Sequence, residues 1–112
     1  MAEPFAELAA LDKLIHEPAR LAILTALNAC DSADFLYLQR LTGLTTGNLS
    51  SHLSRLEEAG LVSIEKQFVN RRPNTQAALT GQGRATIAAY WQTLDALRQQ
   101  TASWQPPPAE GS

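Results

Sequence analysis

The stretch from Phe35 to Leu79 constrains the fold most, because its pattern predicts two short helices followed by a β-hairpin. Apolar side chains recur every three to four residues over Phe35–Thr42 and again over about 46–59, which is the period of an α-helix. Only the segment Gly43–Thr46 separates the two runs. Two helices joined by so short a turn predict a helix-turn-helix.

Capping residues mark the ends of both helices. Asp34 suits the N-cap of the first helix, and Thr45 or Thr46 suits the N-cap of the second. Gly60 is expected to close the second helix in the left-handed conformation. The inward side chains of the first helix are expected to be Phe35, Leu38 and Leu41.

Two β-strands are predicted after this unit. Residues 61–68 alternate between apolar and polar side chains, with Leu61 preceding the register, and Thr75–Leu79 predicts a shorter second strand. Asn70 and Pro73 are turn residues between the two strands. A hairpin directly after a helix-turn-helix corresponds to the wing of a winged helix.

Further structure is expected before this unit. Leu8, Leu11 and Ile15 follow helical spacing and predict a first helix. Residues 18–30 predict a second helix, with a proline in its first turn, where the missing N–H group costs nothing. Residues 31–34 predict a loop.

The length of the chain limits it to one domain. Its 112 residues are enough for one core and too few for two. We expect a single domain over residues 1–105 and a disordered tail over residues 106–112, which begin with three prolines. The N-terminus lacks a signal-like pattern, and no apolar run reaches the ~18 residues of a membrane span, so we expect a cytoplasmic protein without a membrane partner.

Charge is unevenly distributed along the chain. The formal net charge of −2 excludes a generally basic nucleic-acid binder. Residues 1–34 nevertheless carry 2 basic and 6 acidic side chains, whereas residues 35–84 carry 6 basic and 3 acidic ones. No acidic residue occurs between Phe35 and Leu56. A basic middle with acidic ends suits a small anion-binding module, although chance clustering would give the same counts.

The second helix of the helix-turn-helix has two contrasting faces. One is an apolar stripe of Leu49, Leu53 and Leu56. The other carries only groups that hydrogen-bond to bases or phosphates, namely Asn48, Ser51, His52 and Arg55. Solvated helix faces usually carry Glu and Lys instead, so we interpret this second face as a DNA-binding one.

Further candidate DNA contacts flank this face. At the helix start, the hydroxyls of Thr45 and Thr46 can bind a phosphate, and Ser50 is a candidate on the same helix. Four candidates lie in or near the hairpin tip, namely Lys66, Asn70, Arg71 and Arg72. Two adjacent arginines, stiffened by the proline that follows, fit contact with phosphates or with the minor groove, although a charged tip is often only solvated.

These features together resemble the winged helix-turn-helix transcriptional regulators of the MarR/ArsR-like superfamily, over roughly residues 8–98. The matching stretches include His16–Leu21, Asp34–Leu38, Gly47–Leu53, Leu56–Val62, Arg71–Thr75 and Leu79–Arg84. The resemblance implies a mostly helical fold with a β-hairpin wing. It also implies a homodimer that places one recognition helix (about 46–59) in each of two major grooves and a wing (about 66–75) beside each.

The resemblance carries specific roles onto this sequence. The recognition-helix positions fall on Thr46, Asn48, Ser51, His52 and Arg55. The wing positions fall on Lys66, Arg71 and Arg72. The metal-sensing branch of the superfamily uses clustered Cys and His ligands, which this chain lacks, so we expect no metal and no other cofactor.

A long final helix, from Gly81 to about Thr101 with Thr80 as its cap, carries a heptad seam. This seam exceeds what a small winged-helix core needs, so we expect it to pack both on the chain's own first helix and on a second subunit. The residues predicted for the dimer interface are Phe5, Leu8, Leu11, Ile15, Ile87, Tyr90, Trp91, Leu94, Leu97 and Trp104.

No arrangement of residues predicts an enzyme. His16 and His52 lie on different elements without a second ligand at metal spacing, and no carboxylate near Ser50–His52 would orient an imidazole for catalysis. His52 is either a DNA contact or a partly buried histidine bonded to a neighbour. Cys30 is most simply a buried apolar side chain.

The function is therefore predicted to be that of a sequence-specific transcriptional regulator that binds double-stranded DNA and acts as a repressor. The alternative is a winged-helix module for protein contact in a transcription or signalling assembly, which would expose apolar residues at the same face. A small-molecule effector would act near Tyr90 and Trp91, because so short a chain has no separate sensor domain. The alternatives are control by the protein's own abundance, or by a partner protein that docks on the acidic N-terminal side.

Overall fold

A computed structural model describes residues 3–108, which form five helices and three strands. In chain order these are α1 (Pro4–Ala9), α2 (Pro18–Ala29), β1 (Ala33–Asp34), α3 (Phe35–Thr42), α4 (Thr46–Glu58), β2 (Val62–Val69), β3 (Arg72–Leu79) and α5 (Gly81–Ala102). The mostly helical fold with a helix-turn-helix and a hairpin wing is confirmed.

One apolar core holds the helix-turn-helix against α2, the sheet and α5. Full burial of an aliphatic side chain stabilises a fold by about 1.5–3 kcal/mol, so the position of α4 follows from the leucines on its inner side. The largest fully buried side chains are Ile15, Ile23, Leu24, Leu27, Leu38, Leu49, Leu56, Val62 and Ile87.

The helix-turn-helix forms with the capping residues expected from the sequence. The Asp34 carboxylate accepts the N–H of Tyr37 at 2.7 Å, and the Thr45 hydroxyl accepts the N–H of Asn48 at 3.1 Å. Gly43 ends α3 with a φ of 70°. The expectation that Leu41 points inward is wrong, since 50% of its surface is exposed.

The wing is an antiparallel hairpin in a sheet of order β1-β3-β2. It is tighter than predicted, because Asn70 and Arg71 alone form the turn and β3 begins at Arg72 rather than Thr75. Both turn residues have positive φ angles, 53° and 64°, as in the two-residue turns that match strand twist. The predicted loop at 31–34 contains β1, whose Ala33 pairs with Ala77.

The first predicted helix is shorter than its apolar spacing suggested. It ends at Ala9, and the chain then turns, with the Asp12 carboxylate accepting the N–H of Leu14 at 2.9 Å. This turn still places Ile15 in the core, where 1% of its surface is exposed. Apolar spacing alone could not distinguish one long helix from a short helix and a turn.

The final helix, α5, makes close contacts near both of its own ends. Near its start, a Cβ on Gly83 would lie 2.0 Å from the Leu61 carbonyl oxygen, so this close approach of helix and strand requires glycine. Near its end, the rings of Phe5 and Trp104 pack edge to face with centroids 5.0 Å apart. The expected packing of the last helix on the chain's own first helix is thus confirmed.

Residues 105–108 are exposed and have neither helix nor strand, and the rest of the predicted tail, residues 109–112, lies outside the described residues. Within residues 3–108, none of the helices combines the length and apolar character needed to cross a membrane.

Candidate nucleic-acid interface

The inner and outer sides of α4 differ as the sequence pattern predicts. Its three core leucines are at most 2% exposed. On the outer side, the polar side chains are exposed except for one, His52, which is half-buried. The predicted contacts of this helix that are exposed are Thr46, Asn48, Ser50, Ser51 and Arg55.

The start of α4 is open to a ligand. Thr45 and Thr46 are exposed, and a Cβ on Gly47 would meet no other atom within 4 Å, so the backbone here is free to approach a phosphate. The Gln39 side-chain amide donates to the Thr46 hydroxyl at 3.0 Å. Gln39 was not predicted as part of the site. Its place one turn before the end of α3, the helix that crosses the DNA backbone in such motifs, is the signal that could have identified it.

His52 faces the start of α2 rather than standing free. Its Nδ1 lies 3.4 Å from the guanidinium of Arg20 and 4.0 Å from the carboxylate of Glu17. The expectation that no carboxylate lies near Ser50–His52 is therefore wrong, because α2 brings one from a distant part of the sequence. Of the two interpretations left open by the sequence, this environment favours a partly buried histidine bonded to a neighbour. His52 therefore links α4 to α2.

Arg20 is the centre of this link, and sequence reasoning missed it. Only 8% of the surface of this residue is exposed, and its guanidinium donates to the carbonyls of Leu14, at 2.6 Å, and Lys13, at 3.2 Å. Arg20 thus ties the turn before α2 to His52 on α4. A charged residue on an otherwise apolar helix face is the signal that could have identified it.

Glu17 caps α2 and completes the group. Its carboxylate accepts the N–H groups of Ala19 and Arg20 at 3.2 and 2.8 Å. Burial raises the pKa of Glu17, but these two hydrogen bonds and the charges of His52 and Arg20 oppose it, so that the pKa lies below its usual value of 4.5.

The wing presents its predicted residues to solvent. Lys66, Asn70, Arg71 and Arg72 are all exposed. Arg71 lies in the turn itself, so the two adjacent arginines leave the hairpin from different positions, one from the turn and one from the first residue of β3. The tip is therefore a concentrated positive surface on a well-defined hairpin.

The residues predicted for a dimer interface divide into two groups. Most are buried or half-buried by contacts within the chain itself. Three of them, Ile15, Ile87 and Leu97, are at most 2% exposed. Only Phe5, Trp91 and Trp104 are exposed, to 49%, 36% and 40%. A partner subunit would meet these three side chains first.

A groove of about 660 Å³ runs between α5 and the segment that leads from α1 to α2. Apolar side chains line most of this groove, and its polar lining includes Glu7 and Asp12. Tyr90 lines the groove, and its hydroxyl lies 2.7 Å from Nδ1 of His16. The groove thus reaches the residues just before α2.

Over the described part of the chain, no three His, Cys, Asp or Glu side chains are grouped closely enough to hold a metal ion. Cys30 is half-buried at the end of α2 and has no disulfide.

Comparison with known proteins gives consistent matches. Residues 19–98 match the family described as winged helix DNA-binding domain. An uncharacterized protein of Methanocaldococcus jannaschii is 35% identical over 78 residues, which are 70% of this chain and 85% of that protein.

Two solved structures extend the comparison. The transcriptional regulator homologue protein from Pyrococcus horikoshii OT3 has a TM-score of 0.80 and 30% identity, over 89% of this chain and 98% of that chain. The transcriptional repressor CouR, bound to a 23-mer DNA duplex, is similar in fold, with a TM-score of 0.66 and 23% identity over 88% of this chain and 74% of that chain.

Proposed function

The chain belongs to the family of winged helix DNA-binding domains, and from this membership we propose that it is a sequence-specific transcriptional regulator that binds double-stranded DNA as a homodimer. We further propose that it acts as a repressor. Membership of a family of DNA-binding domains also supports the expectation that the chain is not an enzyme.

The observation that carries this proposal is the exposed outer face of α4. It offers hydroxyl, amide and guanidinium groups at the helix start and middle, whereas its acidic residues, Glu57 and Glu58, lie at the far end. Phosphates carry negative charge and base edges carry donors and acceptors, so this face suits the major groove. The open helix start at Gly47 adds a place for a phosphate.

The wing supplies a second contact with the same duplex. Lys66, Arg71 and Arg72 are exposed on one hairpin, where they can neutralise phosphates or enter the minor groove. The fold neighbour CouR is a repressor bound to duplex DNA, which supports both this partner and the repressor role for the present chain.

Selection of bound sequences from random duplex DNA tests the proposal most directly. We expect the purified protein to select an inverted repeat, with half-sites about one helical turn, ~34–36 Å, apart. Affinity for that site should fall by orders of magnitude between about 50 and 200 mM salt, because several phosphate contacts release counterions. Equal binding to every duplex, or binding indifferent to salt, would contradict the proposal.

One observation keeps the alternative of a protein-contact module open for testing. Three apolar side chains of α3 are exposed, Leu36 to 67%, Tyr37 to 44% and Leu41 to 50%, and exposed apolar side chains are what a protein partner would cover. For a DNA-binding regulator, Leu36→Ser should leave affinity for the selected duplex unchanged. Failure to select any duplex would favour the protein-contact function instead.

We place a small-molecule effector site in the groove lined by Tyr90. A ligand there would touch both α5 and the segment before α2, and Arg20 joins that segment to His52 on α4. A ligand shifts DNA affinity only as far as it prefers one arrangement of these elements over the other. Fluorescence of Trp91 and Trp104, followed during a metabolite screen, would detect it. A screen that changes neither the fluorescence nor the DNA affinity would contradict this placement.

A further inference from the structure

Phe68 is the most exposed of the large apolar side chains in the described part of the chain, with 76% of its surface accessible. It lies near the end of β2, opposite Pro73. A single exposed apolar residue needs no explanation by itself. The surroundings of Phe68, however, are those of a binding surface.

The register of the hairpin places Phe68 on the same face as one positive charge of the wing. Side chains two residues apart on a strand share a face, so Phe68 lies on the same face as Lys66 and Ile64. Ile64 packs against the core. The body of the domain therefore covers this face of the hairpin at the base, away from the turn. Arg71 follows in the turn, whereas Arg72, the first residue of β3, pairs with Val69 and lies on the opposite face.

The hairpin holds Phe68 in a defined position. Its turn has only two residues, and Pro73 across from Phe68 has a restricted φ angle. On the other face, the Asn74 side-chain oxygen accepts the amide of Gln76 at 2.8 Å and that of Gln67 at 3.4 Å. A side chain presented on such a hairpin loses little conformational freedom when it binds.

We propose that Phe68 contacts the minor groove of the duplex, where its ring packs against deoxyribose and base edges while the neighbouring cations bind the flanking phosphates. The proposal rests on the proposed DNA-binding function. Proteins that enter the minor groove often combine cationic side chains with an apolar wedge that partly unstacks a base step.

Charge complementarity selects the duplex over an apolar protein partner. The hairpin carries three cations at or near its tip, and its one acidic side chain, Glu65, lies on the face opposite to Phe68. The cores of protein interfaces are depleted of Lys, whereas a nucleic-acid surface requires cations. Phe68 therefore adds a contribution to DNA binding that does not depend on salt.

The test compares Phe68→Ala with Val69→Ala, the adjacent substitution on the opposite face of the strand. Both side chains are exposed, to 76% and 46%, so both variants should fold, which thermal melting checks. Affinity for the selected duplex is measured over a range of salt concentrations. A duplex with 2-aminopurine next to each half-site reports unstacking as a rise in fluorescence.

We expect Phe68→Ala to bind about tenfold more weakly at every salt concentration, with an unchanged salt slope and no 2-aminopurine signal. Lys66→Ala should instead reduce the salt slope by about 0.9, as expected for one lost phosphate contact. Val69→Ala shortens the side chain opposite Arg72 but leaves that charge in place, so it should bind like the wild type.

Wild-type affinity and fluorescence in Phe68→Ala would overturn this proposal and leave the proposed function intact. A change of oligomeric state in Phe68→Ala, without a change in the DNA complex, would also overturn this proposal and leave the proposed function intact. Absence of any duplex binding by the wild-type protein would overturn the proposed function and this contact with it.

Discussion

Asn48 and Arg55 test whether the outer face of α4 reads bases. Both are exposed and neither has a side-chain hydrogen bond within residues 3–108, so Asn48→Ala or Arg55→Ala removes no contact that holds the fold. Each substitution should weaken binding to the selected duplex by about 1–3 kcal/mol and relax the preference at one base position. Repeating the selection with each variant measures both effects. Arg98→Ala, an exposed arginine on α5, is the matched control and should change neither.

The wing arginines should behave differently when replaced. Arg71→Ala and Arg72→Ala should weaken binding to all duplexes alike, and each should reduce the salt slope by about 0.9 for the phosphate contact it loses. Titrations at several salt concentrations, with specific and random duplexes, separate the two effects. A changed base preference in either variant would show that the wing reads sequence through the width of the minor groove.

The lowered pKa of Glu17 predicts how the stability of the fold responds to acid. Its pKa in the folded protein is lowered below the ordinary value of 4.5, so its ionised form favours folding. This contribution is fully present above the pKa of the unfolded chain and is lost as the pH falls through the folded value. Urea unfolding at a series of pH values should therefore show a smaller loss of stability in acid for Glu17→Gln than for the wild type. Glu57→Gln, exposed on α4, should follow the wild-type curve. Identical curves for all three proteins would contradict the role assigned to Glu17.

The junction of β2 with α5 depends on a glycine that can be tested against its neighbour. A Cβ at Gly83 would lie 2.0 Å from the Leu61 carbonyl oxygen, whereas one at Gly81 would meet nothing within 4 Å. Gly83→Ala must push the helix from the strand and should cost about 1–3 kcal/mol of unfolding free energy. Gly81→Ala, in the same first turn, should be neutral or slightly stabilising because alanine has the better helix propensity. Chemical denaturation of both variants measures the difference, and equal stability would show that the close approach is not required.

The terminal helices predict the assembly of the protein. Phe5 and Trp104 already pack against each other, and with Trp91 they are the exposed part of the predicted interface. We expect light scattering at micromolar concentration to show a dimer, which a two-fold axis through α1 and α5 would form. Trp91→Glu should shift it to the monomer and weaken binding to the inverted repeat, because one subunit then contacts one half-site.

Leu36→Glu is the control for that experiment. Its side chain is also exposed and apolar but lies on α3, so it should leave the dimer intact. A wild-type monomer, or a dimer lost equally in both variants, would contradict the assignment of the interface to the terminal helices.

Much of the DNA-binding unit was predictable because its signals are local. Asp34, Gly43, Thr45 and Gly60 act through their own backbone angles or through N–H groups within three residues, so their positions in the chain are enough to locate the ends of α3 and α4. The apolar stripe of α4 likewise indicates which side is buried. The outer face follows from it, and membership of the winged helix family confirms the resemblance based on these residues.

The remaining features depend on contacts between distant parts of the chain, which local patterns do not contain. The short strand at Ala33 exists because β3 offers it unpaired backbone groups, and Leu41 is exposed because no other element covers it. His52 satisfies the pattern of a DNA contact, yet Arg20 lies 32 residues before it and is in hydrogen-bonding distance. Periodicity specifies the direction of a side chain on its own helix or strand. Burial and hydrogen bonding of that side chain depend on which other element packs against it in the tertiary structure.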